Sequence, residues 1–178
     1  LPAERDTFVG RHEPLLELAH RFEAGARLVS VLGMGGSGKT RLATRFGWTW
    51  LGDFPGGAWF CDLSQARTID GIAAAVAHGL DVPLGKDDPI AQLGSAIAGR
   101  GPCLVILDNF EQVARHAQET LGRWLDAAGE AHFLVTTREV LGLAGEQTYA
   151  LAPLPGNEAE ALFLRRAEAA KSNLSLAA

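Results

Sequence analysis

Cysteine is nearly absent from this chain: Cys61 and Cys103 are the only two, each inside a predicted strand. Two separated cysteines make no disulfide framework and match no metal-ligand spacing, and the five scattered histidines add none. Positive charge is not in excess either. A formal net charge of −5 argues against this chain holding DNA through phosphate contacts. No run reaches the length of a membrane span, and the alanine-rich stretch at 72–77 falls far short of it. Internal repeats, low-complexity tracts and a signal-peptide pattern are missing as well. The expectation these absences leave is a reduced, cytoplasmic protein with no membrane contact and no direct nucleic-acid contact. The chain opens at Leu1 rather than methionine, and it reads as a piece of a longer protein.

What the chain does have is apolar content and glycine. Hydrophobic residues make up 47% of its 178 positions, ample for a core, and a domain of this size buries about 70% of its unfolded surface. The length predicts one α/β domain with the beginning of a second. Its most informative stretch is Gly33-Met-Gly-Gly-Ser-Gly-Lys-Thr40. The pattern G-x-x-x-x-G-K-[ST] follows a short apolar run, Arg27–Leu32, and precedes apolar residues at helical spacing, Leu42, Ala43, Phe46 and Trp50. Strand, glycine loop and helix are the context in which this pattern binds phosphate.

The residue types suit that chemistry. The β- and γ-phosphates need several backbone N–H donors and the positive end of a helix dipole. Gly35, Gly36 and Gly38 let the backbone come close, with Met34 just before them, Ser37 among them and Arg41 beyond. Lys39 brings a mobile charge to the β/γ oxygens, and Thr40 a hydroxyl for Mg²⁺.

Along the chain, Leu1–Thr7 is polar and reads as linker, and Phe8-Val9 as a hydrophobic lead-in under a helix that runs from Pro14 to a stop at Gly25. After the glycine loop and its helix, Ala58–Leu63 reads as a strand. Thr68 or Asp70 is then placed to cap a helix, and Asp88-Pro89 to start another. Cys103–Asp108 is apolar until its final aspartate, as a strand buried on both faces should be. A carboxylate at such a strand tip beside a phosphate loop is where Mg²⁺ is held. Phe110–Ala128 has the periodicity of one helix, with Val113, Ala117, Leu121, Trp124 and Leu125 inward. His132–Thr137 reads as the next strand, followed by Arg138, a position open to a solvated or a functional arginine. Gln147–Leu151 is the fifth strand, and Asn157 caps a closing helix through Leu162 and Phe163. Five strands alternating with helices predict a parallel sheet covered on both faces, with the ligand beyond the strands' carboxyl ends.

Phe8-Val-Gly-Arg11, the glycine loop through Ala43, Leu104-Val-Ile-Leu-Asp-Asn109, Val135-Thr-Thr-Arg-Glu139 and Leu151-x-Pro-Leu-Pro155 with Glu158–Phe163 come in the order seen in STAND NTPases. The chain resembles this class, the signal-transduction ATPases with numerous domains that include NB-ARC proteins. It is most like the ATPase module of large bacterial LuxR-type and antibiotic-pathway transcriptional regulators. The resemblance implies a P-loop NTPase fold with strand order 2-3-4-1-5, a nucleotide-binding domain over 1–152 with an adenine-side segment and helix at 8–25, and the start of a truncated helical lid at 153–178. It implies that Val9 and Arg11 embrace the adenine end of ATP or ADP, that Thr137 and Arg138 sense the terminal phosphate, and that Lys39 and Asp108 serve hydrolysis with Mg²⁺ on Thr40 and Asp108. It further implies lid, winged-helix and sensor domains elsewhere in the same protein, and ATP-dependent self-association of the whole.

Asn109 stands where many hydrolysing relatives carry an acid, and an amide is a poor base. Glu111 is a weaker catalytic candidate, better suited to the first turn of a helix as a dipole partner. Slow hydrolysis is expected, with Asn109→Glu as the change that supplies a base. The rival readings are a small-molecule kinase, which needs an acceptor pocket and an arginine-rich lid, and a mechanical AAA-type ATPase, which normally shows two consecutive acids at Asp108-Asn109.

Overall fold

The computed structural model describes residues 1–4, 8, 10–153 and 156. Five strands form one parallel sheet: β1 Leu28–Leu32, β2 Ala58–Asp62, β3 Leu104–Asp108, β4 His132–Thr137 and β5 Glu146–Ala150. Their order across the sheet is β2-β3-β4-β1-β5. The three inner strands are the most buried: every residue of β3 is buried, as are Leu28–Val31 of β1 and Phe133–Thr137 of β4. The less buried β2 and β5 take the edges, where one side lacks a neighbour.

Period-two alternation divides the core between the two faces of the sheet. Val29, Val31, Leu104, Ile106 and Leu134 face helices α1 (His12–Glu23) and α2 (Lys39–Thr49), meeting Leu18, Phe22, Leu42 and Phe46. Leu28, Val105, Leu107, Phe133 and Val135 face α3 (Ile69–Leu80), α4 (Pro89–Ala98) and the chain around Trp124. Helix boundaries follow local chemistry. The Thr68 hydroxyl accepts from Gly71 N–H and the Asp88 carboxylate from Ala91 N–H. Gly25, at φ 94°, closes α1 with paired bonds from Gly25 N to Phe22 O and Ala26 N to Arg21 O.

Two segments differ from what their sequences predict. The stretch 110–127 is not one helix. It runs as 3₁₀ turns at Phe110–Gln112 and Ala114–His116, a π turn at Gln118–Gly122, and a short helix α5 at Arg123–Ala127. Asn109 enters it at φ 62°, Val113 leaves the helical region at φ −134°, and Thr120 donates to the His116 carbonyl, competing with the backbone ladder. The inward set nevertheless holds: Val113, Ala117, Leu121 and Trp124 are buried and Leu125 packs against them. The opening residues are also not free linker. Leu1 packs against the sheet face under α2, Trp48 donates to Pro2 O, and Glu4 pairs with Arg45 at 2.7 Å. The closing helix predicted from Asn157 lies outside the described residues.

Candidate nucleotide-binding site

The carboxyl ends of β1, β3 and β4 lie side by side and set the site. Gly33 N–H donates to Thr137 O, so the loop leaves β1 still tied to β4. The turn then passes through Gly36 at φ 79° and Gly38 at φ 90°, dihedrals that L-residues rarely take. α2 follows at Lys39 with no side-chain cap and no acid in its first turn. Its leading N–H groups are therefore left to a ligand, with the positive end of the helix behind them. Inside the loop the Ser37 hydroxyl is buried with no partner among the described residues, the kind of donor an anion satisfies.

Lys39 is only 8% exposed, and its ammonium donates to Gly33 O at 2.7 Å and Met34 O at 3.0 Å. The charge is thus held across the loop by neutral carbonyls. Met34 itself is exposed. Arg11, also in the left-handed region at φ 63°, reaches the loop from the amino-terminal side. One of its nitrogens donates to Ser37 O at 3.0 Å and another to Ala152 O at 2.6 Å. Val9 lies outside the described residues. Arg41 sits half-buried in the first turn of α2.

Asp108, 2% exposed at the tip of β3, is enclosed by donors. Thr40 Oγ1 lies 2.9 and 3.0 Å from its two oxygens, Thr136 donates to Oδ1, and Asn109 Nδ2 donates to Oδ2 at 2.9 Å. Burial pushes the Asp108 carboxyl above its ordinary range. The hydroxyls of Thr136 and Thr40 pull it back, while Asp62 and Glu111 add repulsion. A buried carboxylate beside a threonine hydroxyl is an all-oxygen pair, which fits Mg²⁺. Among the described residues there is no cluster of three or more potential metal-ligating side chains. Two protein oxygens completed by phosphate and water is the usual way Mg²⁺ is held, so the site fits that ion.

Arg138 lies on the far side of the loop. A Cβ at Gly35 would stand 3.0 Å from its Nη2, and its Nε is 3.2 Å from Glu111 Oε1. Glu111 stands in the first turn of the short 3₁₀ segment, as expected, and is also an arginine partner at the site. Lys39, Thr40, Asp108, Arg138, Glu111 and Arg11 are thereby gathered around Gly33–Gly38.

Two participants, Thr136 and Asp62, carried no role in the sequence reading. Thr136 bonds Asp108 and accepts from Asn109 N–H at 3.0 Å. Thr137 points to the other face and closes its own turn with Glu139. Asn109 also donates to Asp62 Oδ1 at 3.3 Å, bridging the acids at the tips of β2 and β3. The parallel register pairs Asp62 with Asp108, and a matching acid at each tip was the available signal. Two cavities, of about 320 and 330 Å³, lie away from this loop, one beside α3, α4 and Arg123, the other around Phe22, Phe54 and His132.

Five parallel strands in this order, with a glycine loop between β1 and an uncapped helix, constitute a P-loop NTPase fold. No family model matches the chain. The chain is 29% identical over 171 residues to an uncharacterised protein of Mycobacterium tuberculosis, covering 96% of this chain and 43% of that protein. It is 30% identical over 155 residues to a protein of the same organism named as a candidate HTH-type transcriptional regulator, covering 85% of this chain and 17% of the other. It thus spans less than half the length of these curated relatives. Among solved structures, Cdc6p from Pyrobaculum aerophilum matches with a TM-score of 0.68 at 14% identity, over 95% of this chain and 52% of that one. The STAND protein with a tetratricopeptide repeat sensor from Pyrococcus horikoshii matches with 0.51 at 19% identity, over 90% of this chain and 25% of the other. At these identities the likeness is one of fold.

Proposed function

We propose that this chain is the ATP/ADP-binding switch module of a signal-transduction NTPase within a multidomain bacterial transcriptional regulator acting in the cytoplasm. The observation that carries the reading is the Lys39 ammonium parked on loop carbonyls beside an uncapped helix start and the Thr40–Asp108 pair. An ammonium held only by neutral acceptors in a nearly buried place gains most when phosphate oxygens replace them. Lys39 then binds the β/γ oxygens, the first N–H groups of α2 hold the phosphates, and Thr40 with Asp108 holds Mg²⁺. The ion's contribution is to neutralise charge developing on the phosphate oxygens. Similarity to the candidate HTH-type regulator and to the STAND protein supports the regulatory setting. Segment 153–178 is read as the beginning of a helical lid. Winged-helix and sensor domains, and ATP-dependent self-association, belong to the whole protein.

With Asn109 following Asp108, turnover is expected below about one per minute, far under the usual enzyme median. The test is titration with Mg²⁺–ATP and Mg²⁺–ADP. Lys39→Ala should weaken ATP binding at least about tenfold, the loss of one charged phosphate contact of about 1.5–3 kcal/mol. Unchanged ATP affinity in that variant removes the reading.

A further inference from the structure

Glu111 is set apart from the other acids at the site by how it is held. It is 12% exposed, its Oε1 is engaged by Arg138 Nε at 3.2 Å, and its Oε2 is buried with no partner among the described residues. Arg138 is 61% exposed, and its guanidinium already rests against Gly35 of the loop. The ion pair therefore joins a nearly buried carboxylate to an arginine that fronts the phosphate loop. A buried carboxylate oxygen without a donor is costly, and water is the smallest group that satisfies it. The 3₁₀ turn at Phe110–Gln112 fixes Glu111 three residues beyond Asp108, after Asn109 has reversed the chain at φ 62°.

We propose that the Arg138–Glu111 pair is a latch opened by the terminal phosphate of ATP, and that Glu111, once released, is the base that activates the attacking water. This rests on the nucleotide reading above. In the latched state Glu111 neutralises Arg138 and is itself unavailable. A γ-phosphate at the loop competes for the same guanidinium with more charge and more acceptor oxygens. ADP presents no such group and leaves the latch shut. When the latch opens, Glu111 keeps its place but loses its counter-ion, and its two oxygens turn to water. The water oxygen then bonds to the γ-phosphorus as the bond from phosphorus to the β–γ bridging oxygen breaks. The water's proton passes to the Glu111 carboxylate and on to the departing inorganic phosphate. ADP keeps the electron pair of the bridging oxygen.

The latch predicts opposite effects of one substitution on binding and on rate. In Glu111→Gln, ATP loses its competitor for Arg138, so ATP should bind about fivefold more tightly while ADP affinity stays the same, the scale of one partly exposed ion pair. Single-turnover phosphate release should fall about 100-fold or more. In an Arg138→Ala background, Glu111→Gln should leave ATP affinity unchanged, since nothing remains to compete for. The measurements are ATP and ADP titrations of the four proteins and phosphate release from the wild type and Glu111→Gln. If Glu111→Gln binds both nucleotides as the wild type does, the latch is wrong while the nucleotide site stands. If ATP binding tightens but phosphate release is unchanged, the catalytic half is wrong. If the wild type binds neither nucleotide, both this inference and the nucleotide reading fall.

Discussion

Asn109 illustrates how one side chain changes meaning between sequence and structure. As a residue type it is an acid missing from the place of a base. In the folded chain its amide donates to Asp108 and to Asp62, so it separates two carboxylates that the parallel register places side by side. Asn109→Glu would remove that donor and set a third negative charge between them. Asn109→Asp is expected to destabilise the protein by about 1–3 kcal/mol, the cost of lost donors plus like-charge contact. Denaturant unfolding at neutral pH measures this, and an unchanged midpoint would show that the bridge contributes nothing.

His132 provides a second test at this scale, far from the phosphate loop. It lies edge-on to Phe22 and Phe54 with ring centroids 5.6 Å away in each case. Burial first, and the Arg27 charge second, hold its imidazole below the ordinary histidine range, against the opposing pull of the Glu130 backbone. The unfolded chain therefore takes up this proton more readily than the folded one. Its contribution to stability is present above the ordinary histidine pKa and is lost as the pH falls through the lowered one. Thermal midpoints should drop from pH 7 to pH 5 in the wild type and drop less in His132→Gln. Parallel pH profiles for the two proteins would exclude His132 as the group responsible.

At the scale of elements, the clearest contrast lies in the chain between β3 and β4. Trp124 is fully buried and its indole donates to Ile90 O at 3.0 Å, which fastens α4 to this irregular stretch. Trp124→Ala is expected to cost about 3–5 kcal/mol, read as a fall in the urea midpoint at constant slope. A smaller loss would mean that the segment collapses to refill the cavity. The burial of Trp124 and of its inward neighbours was legible in the sequence because period 3.6 records which residues face the core. Their backbone conformation was not. Turns of 3₁₀ and π type keep nearly the same residues inward, and what selects them here is Asn109 in the left-handed region and Thr120 bonding back to His116. The strands were legible for a simpler reason, since a strand buried on both faces must be apolar throughout, as β3 is. The order of the strands came from resemblance, not periodicity. The joint enclosure of Asp108 by Thr40, Thr136 and Asn109 depends on that order and so could not be read from any one element.

For the whole molecule, the reading of 153–178 as the start of a lid carries its own consequence. A nucleotide covered by further domains gains contacts that this chain alone does not supply. ADP should bind the 178-residue chain about tenfold more weakly than a chain extended through the next two domains, a difference of about 1.4 kcal/mol, and should leave it faster. Equal affinity and equal release would show that the loop and its flanks already make a complete site, and the ADP-locked switch would have no basis.

Arg11 ties the glycine loop to the end of the sheet. A single planar guanidinium holds the carbonyl of Ser37, in the phosphate loop, and the carbonyl of Ala152, where the chain leaves the sheet just after β5. Its two contacts are at opposite edges of one rigid fork, so they cannot lengthen independently. A displacement of the loop would therefore be felt at Ala152, just after β5. The arginine spans loop and sheet end without belonging to either.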